Sequence, residues 1–388
     1  MMASGFVILD KPEGMTSRQA GSKVARMFGA KTFGHIGTLD PMASGLLVVA
    51  LGEATKIIPF LDGSCGVSRD SWFVDRELGV KEYLFSIKWG VRTDTGDVTG
   101  KVLEENSVAA PTESEIEKIL PGLVGEYDQT PPAFSARKVA GKPAYVLARQ
   151  GLEPELKPKK VHVYELCVVR DSGGVARDSC FVIRVKCSAG TYVRSLVQDI
   201  ISAVNHASRA TSHESRVNPT QDSLTRSARK PSLSRPCSRG RGAALPVLGE
   251  GAGSAAPRTT DHEPRIGTCD MIRRTRSNGF DIKDACALDF LEKMFHNADA
   301  ALGESLKPLD FGLDGIPAAK LEPEDADLFR HGGFVGIRSV IPTKTGTTFG
   351  TREFIRAYSG DLFVGIGEVE NGFLKPKRVI LSESAKND

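Results

Sequence analysis

The stretch Gly34-His-Ile-Gly-Thr-Leu-Asp-Pro-Met-Ala-Ser-Gly45 holds one acid, Asp40, among residues that are otherwise uncharged apart from His35. Pro41 biases Asp40 away from helical backbone angles, and the glycines let the chain turn tightly and let a ligand approach closely. An apolar run, residues 46–51, follows at once. An isolated Asp-Pro is typical of an ordinary turn. With His35 nearby and a buried element directly after it, we interpret this segment as a polar loop that presents a catalytic carboxylate.

This loop is one of several segments of the chain that resemble a known protein family. Eight segments resemble, in order, the defining segments of the TruB family of tRNA pseudouridine synthases. They include Lys81-Glu-Tyr83 and Cys187-Ser-Ala-Gly-Thr-Tyr-Val-Arg-Ser195, and the full set is residues 5–17, 34–45, 52–56, 81–83, 90–97, 129–145, 187–195 and 271–275. Eight matches in one order are strong support for this resemblance.

The resemblance implies an isomerase that converts uridine 55 in the T-loop of tRNA to pseudouridine, without a guide RNA, a metal or another cofactor. The partner it implies is the T-arm stem-loop of tRNA. Two other functions stay open. The chain could be a non-catalytic tRNA-binding folding chaperone, or a guide-dependent synthase that modifies ribosomal RNA.

The resemblance also implies roles for particular residues. Asp40 matches the essential aspartate, whose role as nucleophile on sugar or base, or as acceptor of a proton on the 2′ side, is left open by the sequence. Arg194 matches the arginine that pairs with it. The remaining matches are Tyr83, which would stack on the target uracil in the catalytic centre, His35, which would support the flipped uridine, the substrate contacts Tyr192 and Ile272, and Lys11 with Pro12, which would brace the floor of the site.

The composition of the chain limits its domain count, its class and its cellular location without reference to the resemblance. The chain has 388 residues, enough for two or more domains, and 40% apolar content without an apolar run near 18 residues, which excludes a spanning helix. Seven cysteines, with no Cys-x-x-Cys pair, argue against a disulfide framework and a structural zinc site. Because structured-looking sequence begins by Gly5, we expect no leader peptide. We therefore predict a cytoplasmic protein, and we expect a monomer.

A basic stretch interrupts the expected catalytic domain. Residues 201–266 carry ten cations and five acids, together with ten Ser and six Pro, and no Phe, Trp or Tyr occurs between Tyr192 and Phe280. Such a composition buries too little apolar surface to offset the entropy of ordering. We predict a disordered insertion at residues 203–265, between catalytic parts at 1–202 and 266–304, with an RNA-binding domain at 305–388. The alternative is that the insertion is a basic arm that touches RNA backbone.

Periodicity indicates strands at 6–9, 83–89, 161–166 and 181–187, and helices at 17–28, with Ser17 as N-cap, 113–120 and 191–201. No regular strand-helix-strand repeat is seen. The sequence therefore predicts an α+β domain with a mixed, mostly antiparallel sheet and flanking helices, in agreement with the pseudouridine synthase fold that the resemblance implies. Short strands at 353–358, 362–369 and 373–381 predict a small β-rich domain, which is similar to the PUA-like domains of the family.

Asp94 and Asp97 could suggest a metal loop or a glycosidase carboxylate pair. Their Thr-Asp-Thr-Gly-Asp context favours a hairpin turn instead.

Flipping a uridine out of its loop has a free-energy cost of a few kcal/mol. Contacts between cationic side chains and the RNA backbone must offset this cost. The candidates are Arg137, Lys138, Arg273, Arg274, Lys375, Lys377 and Arg378.

Overall fold

A computed structural model describes residues 3–63, 79–135, 137–139, 141–169, 181–217, 263–343 and 349–380 of the chain, with side chains up to Arg209 in the helix that ends at Val217. The strands in chain order are β1 Gly5–Lys11, β2 Phe33–Ile36, β3 Ser44–Leu51, β4 Val80–Trp89, β5 Val91–Thr93, β6 Val102–Glu105, β7 Gly125–Gln129, β8 Lys138–Val139, β9 Lys142–Pro143, β10 Lys159–Val169, β11 Val182–Ser188, β12 Gly267–Ser277, β13 Phe280–Asp281, β14 Cys286–Ala287, β15 Ala318–Leu321, β16 Val335–Gly336, β17 Ile341–Pro342, β18 Phe354–Ser359, β19 Leu362–Glu370 and β20 Phe373–Val379.

The helices flank these strands. They are α1 Ser17–Met27, α2 Ile58–Leu61, α3 Glu113–Ile119, α4 Ala144–Arg149, α5 Val193–Val217, α6 Leu288–His296 and α7 Pro323–Arg330. No helix within the described ranges is long and apolar enough to cross a membrane.

The larger sheet has the strand order β14-β1-β3-β12-β4-β11-β10-β7, with β2 beside β3 and β13 beside β12. Most neighbours are antiparallel, while the β1–β14 and β3–β12 pairs are parallel. The mixed, mostly antiparallel sheet predicted from the sequence is confirmed. The β3–β12 pair sets Arg274 opposite Gly45, at the end of the Asp40 loop.

Strand β1, which lies beside the edge strand β14, is buried on both faces, and this explains its apolar run Phe6-Val-Ile-Leu9. Val7 and Leu9 point into a core shared with α1, α5 and α6, while Phe6 and Ile8 point to the opposite face. That opposite face packs against residues of the C-terminal sheet, Phe354 among them. Strand β1 therefore packs against helices on one face and against the C-terminal sheet on the other.

The C-terminal strands form a second sheet with the order β16-β20-β19-β18-β15-β17. Helix α7 packs on this sheet through Phe329, which is fully buried. The small β-rich domain predicted for the end of the chain is confirmed.

Two helix boundaries differ from the prediction. The N-cap of α1 is Thr16, whose side chain accepts a bond from the Gln19 amide in a capping box, so the assignment of Ser17 was one residue late. Helix α5 does not end near Ile201 but continues to Val217. Beyond the predicted end, Asn205 bonds to both the amide and the carbonyl of Arg265. The first part of the predicted 203–265 insertion is thus helix. Residues 218–262 lie outside the described residues, so the insertion itself stays a prediction.

Candidate active site

The loop that carries Asp40 connects β2 to β3 and is held at several points. The Ser17 hydroxyl donates to the Leu39 carbonyl at 3.0 Å and accepts from the Leu39 amide at 2.8 Å. The Gly14 amide donates to the Pro41 carbonyl at 2.8 Å. At the end of the loop, Gly45 has a φ of +101°, and a Cβ there would clash with the Arg274 carbonyl oxygen, so this position requires glycine.

Asp40 pairs with Arg194, which α5 supplies from across the site. Arg194 Nε and Nη2 lie 2.9 and 2.8 Å from the same carboxylate oxygen, Oδ2. The Arg194 side chain is 4% exposed and that of Asp40 is 38% exposed. The carboxylate is therefore fixed by a buried cation on one side and open to a ligand on the other. Its second oxygen, Oδ1, has no partner among the described residues.

The Arg194 guanidinium is itself held on every side. Nη1 donates to the Thr95 carbonyl at 2.8 Å, and Nη2 donates to the Phe134 carbonyl at 2.8 Å. Asp97 Oδ2 lies 3.5 Å from Nη1, and its side chain is only 6% exposed. Asp40 and Asp97 thus share one arginine in a network with little rotational freedom.

The hairpin-turn interpretation of Asp94 and Asp97 is confirmed. Asp94 Oδ1 accepts from the Lys101 amide at 2.7 Å, and Asp97 Oδ1 accepts from the Thr99 amide at 3.0 Å. The contact between Asp97 and Arg194 was missed from the sequence. The sequence signature of a turn involves only neighbouring residues, so it does not predict a contact with a residue 97 positions further along the chain.

A cavity of about 560 Å³ opens beside Asp40. Four of the predicted site residues line it: Asp40, Tyr83, Tyr192 and Ile272. Tyr83 is 6% exposed. Burial raises the pKa of Tyr83 to about 12, with the Arg274 guanidinium at its hydroxyl opposing that rise. The phenol is therefore neutral at physiological pH.

His35, Lys11 and Pro12 do not line this cavity. His35 lies on β2 with Nε2 3.3 Å from Thr38 Oγ1, and Thr38 is on the cavity wall. Burial lowers the pKa of His35, followed by the nearby charges of Arg274 and Arg18, so the ring is neutral at pH 7.

Lys11 is fully buried and holds backbone instead of facing the site. Its Nζ donates to the carbonyls of Pro12 at 2.7 Å and Met15 at 2.8 Å. Burial lowers the pKa of Lys11 to about 8, which the charge of Glu13 partly opposes. Lys11 and Pro12 line a separate cavity of about 330 Å³. Their placement fits a bracing role beneath the Asp40 loop.

Arg273 and Arg274 follow each other on β12 and point to opposite faces. Arg273 forms a bidentate pair with Asp10 at 3.0 and 2.7 Å. Arg274 is fully buried, and donates from Nε to the Leu46 carbonyl at 2.8 Å and from Nη2 to the Gly37 carbonyl at 2.9 Å. The prediction that Arg274 contacts RNA backbone was wrong. Two consecutive arginines in a buried strand could have indicated that one guanidinium points inward, because neighbouring side chains face opposite sides of a sheet.

No group of three or more His, Cys, Asp or Glu side chains within the described ranges is placed to hold a metal ion. The site consists of one paired carboxylate, a neutral phenol, an apolar wall and several cations. Such a set can bind an anionic, aromatic ligand and apply a carboxylate oxygen to it.

We predict that Ser17→Ala will weaken the anchoring of the Asp40 loop. The substitution removes both bonds between the hydroxyl and the Leu39 backbone and leaves a buried amide and carbonyl without that partner, at a cost of about 1–3 kcal/mol in unfolding free energy. Urea unfolding measures this, and Ser22→Ala in the same helix is the matched control, with an expected change within about 0.5 kcal/mol. Equal stabilities for the two variants would show that the Ser17 bonds do not hold the loop.

Comparison with known proteins identifies similar chains and folds. Residues 25–66 and 71–193 match the family model described as TruB family pseudouridylate synthase (N terminal domain), and residues 317–380 match Pseudouridine synthase II TruB, C-terminal. The chain is 34% identical to tRNA pseudouridine synthase B of Caulobacter vibrioides, over 97% of this chain and 96% of the relative. It is 32% identical to the protein of the same name from Azoarcus sp., over 99% and 97%.

Solved structures show the same fold at low sequence identity. An H/ACA ribonucleoprotein bound to a substrate RNA containing 2′-deoxyuridine matches with a TM-score of 0.56 and 16% identity, covering 98% of this chain and 86% of that one. The archaeal box H/ACA Nop10–Cbf5 complex matches with a TM-score of 0.55 and 16% identity, covering 98% and 87%. These likenesses confirm the predicted fold class.

Proposed function

Because this chain belongs to the TruB family of pseudouridine synthases, we propose that it isomerises uridine 55 in the T-loop of tRNA, without a guide RNA. The observation that carries this proposal is the pair of Asp40 and Arg194 at the wall of a cavity that also holds Tyr83. In this proposal the T-arm enters from the open side of the cavity, and the protein works as a cytoplasmic monomer.

The reaction sets few chemical demands. The N1–C1′ bond of uridine breaks, the uracil turns, and C5 bonds to C1′, so that only a proton leaves the base. Asp40 Oδ1 is the group that acts at the ribose in this proposal, since Oδ2 is occupied by Arg194 and Oδ1 has no partner among the described residues. Its negative charge stabilises positive charge that develops at C1′ as the bond breaks.

Arg194 positions Asp40. Its two nitrogen atoms on one carboxylate oxygen fix the rotation of the carboxylate. Asp97 orients Arg194 from its other side. In this proposal Arg194 and Asp97 are positioning residues, while Asp40 touches the reacting atoms.

Tyr83 and Ile272 receive the base in this proposal. An aromatic face offers stacking to a base that has left the stack of its own strand. Ile272 forms an apolar wall of the same cavity. Together they hold the free uracil while it turns, which prevents its loss to solvent.

Mapping of the product position tests the proposal. An unmodified tRNA transcript is incubated with the protein, and pseudouridine is located by chemical labelling and primer extension. We expect one pseudouridine, at position 55, and none in a transcript that carries cytidine there. Pseudouridine elsewhere with position 55 unchanged would contradict the assigned position. Tight tRNA binding without any pseudouridine would favour the chaperone function.

A further inference from the structure

The cavity beside Asp40 holds more positive than negative charge. Lys81, Lys159 and Arg137 line it, and Asp40 is the only acid among the described residues that do so. Asp40 already pairs with Arg194. Among the described residues that line the cavity, no carboxylate is therefore left to pair with these three cations.

Lys81 is more enclosed than Lys159. Its residue is half-buried, whereas Lys159 is exposed. Its ammonium has no hydrogen bond or ion pair with any described residue, unlike Lys23 and Lys56, which pair with glutamates at 2.7 Å. An enclosed ammonium without a directly paired acid is costly unless a ligand supplies the opposite charge.

A second cation lies next to Lys81. A Cβ built on Gly37 would be 3.1 Å from Arg274 Nη1 and 3.3 Å from Lys81 Nζ, so the two nitrogen atoms converge on one point beside the Asp40 loop. Arg274 bonds to the carbonyls of Gly37 and Leu46, which do not cancel its charge. The result is a local excess of positive charge where Lys81 meets the Asp40 loop.

The anion that an RNA substrate brings is phosphate. Lys81 precedes Tyr83 by two residues on β4, so the two side chains share a face of the strand at a spacing of about 7 Å. A nucleotide whose base stacks on Tyr83 can therefore place a backbone phosphate at Lys81. A neutral uracil has no comparable charge to offer before its bond to the ribose breaks.

We propose that Lys81, with Lys159 beside it, binds a phosphate that flanks the flipped uridine, and so makes the site accept a nucleotide within an RNA strand. This inference rests on the proposed function, since it takes the flipped uridine as the ligand of the cavity. It assigns Lys81 to binding and not to the chemical step.

The proposal predicts a characteristic pH dependence. Burial lowers the pKa of Lys81 to about 8, and the other groups that act on it are Arg274, Cys187, Lys159 and Asp62. A bound phosphate favours the charged ammonium and raises this pKa again. The contribution of Lys81 to affinity is therefore complete below pH 8, and declines as the pH rises above 8 and the free ammonium loses its proton.

A coupling experiment tests the contact. T-arm stem-loops are prepared with a neutral methylphosphonate at the linkage on either side of the target uridine, and their dissociation constants are measured for the wild type and Lys81→Met. One of the two linkages should weaken binding to the wild type about tenfold. Lys81→Met should weaken binding to the all-phosphate RNA by a similar factor and be insensitive to that linkage.

Three controls make the result specific. Lys88→Met removes an exposed lysine of the same strand and should retain the full effect of the linkage. Lys81→Arg keeps the charge and should bind within about threefold of the wild type. The slope of log Kd against log salt should fall by about 0.7–0.9 in Lys81→Met alone, as expected for one lost phosphate contact.

Additive losses from Lys81→Met and from both linkages would overturn the proposal. So would unchanged binding with a lower single-turnover rate, which would place Lys81 in the chemical step. Release of the C5 hydrogen by the wild type from the all-phosphate stem-loop checks the proposed function separately. The coupling is measured by binding alone, so a failure of the phosphate contact is distinguished from a failure of the proposed function.

Discussion

Asp40→Asn should lower the release of C5 hydrogen from unmodified tRNA by about a thousandfold or more, while the dissociation constant for the same tRNA stays within about twofold of the wild type. The amide keeps the size of the carboxylate but supplies no negative charge at the ribose. Arg194 bonds to only one of the two carboxylate oxygens, Oδ2, so we expect the substitution to preserve the shape of the cavity.

Tritium release from tRNA labelled at uridine C5 measures this activity, and filter binding measures affinity. Asp128→Asn, which removes an exposed acid on β7, is the matched control and should keep full activity. Equal release by Asp40→Asn and the wild type would remove Asp40 from the chemistry.

Arg194→Met should reduce both stability and turnover. The substitution leaves Asp97 buried without its cation and removes the donors to the carbonyls of Thr95 and Phe134. Breaking a buried ion pair by removing one partner costs about 3–5 kcal/mol. We expect the unfolding free energy to fall by about 3 kcal/mol, and single-turnover hydrogen release to fall by about a hundredfold or more because Asp40 loses its orientation.

Arg194→Lys separates charge from geometry. A lysine keeps the positive charge but cannot bond Asp40 and the two carbonyls in the same plane, so it should recover part of the stability and little of the rate. A double variant that carries both Arg194→Lys and Asp40→Asn should be no slower than Asp40→Asn alone, because the two residues act as a unit. Full turnover in Arg194→Met, measured where circular dichroism shows it folded, would contradict this role.

The sequence was most informative where function and backbone geometry coincide. The glycines and proline around Asp40 predicted a fixed polar loop, and the structure holds that loop with Ser17, Gly14 and Arg274. The pairing of Asp40 with Arg194, 154 positions apart, came from the resemblance and is seen at 2.8–2.9 Å.

The features that were missed all depend on contacts distant in the sequence. Asp97 has the local signature of a turn residue, and its second contact depends on where α5 begins. Arg274 resembles a surface cation until β3 and β4 enclose it. Helix α5 continues beyond its apolar pattern, and Asn205 in that extension contacts the backbone of Arg265, 60 positions further along the chain.

The most direct test of the central claim is a crystal structure of Asp40→Asn with an unmodified T-arm stem-loop. We predict that the target uridine is turned out of the loop, with its base on Tyr83 and its C1′ within about 4 Å of the residue 40 side chain. A uridine that remains stacked in its loop, with residue 40 distant from every ribose, would contradict the account.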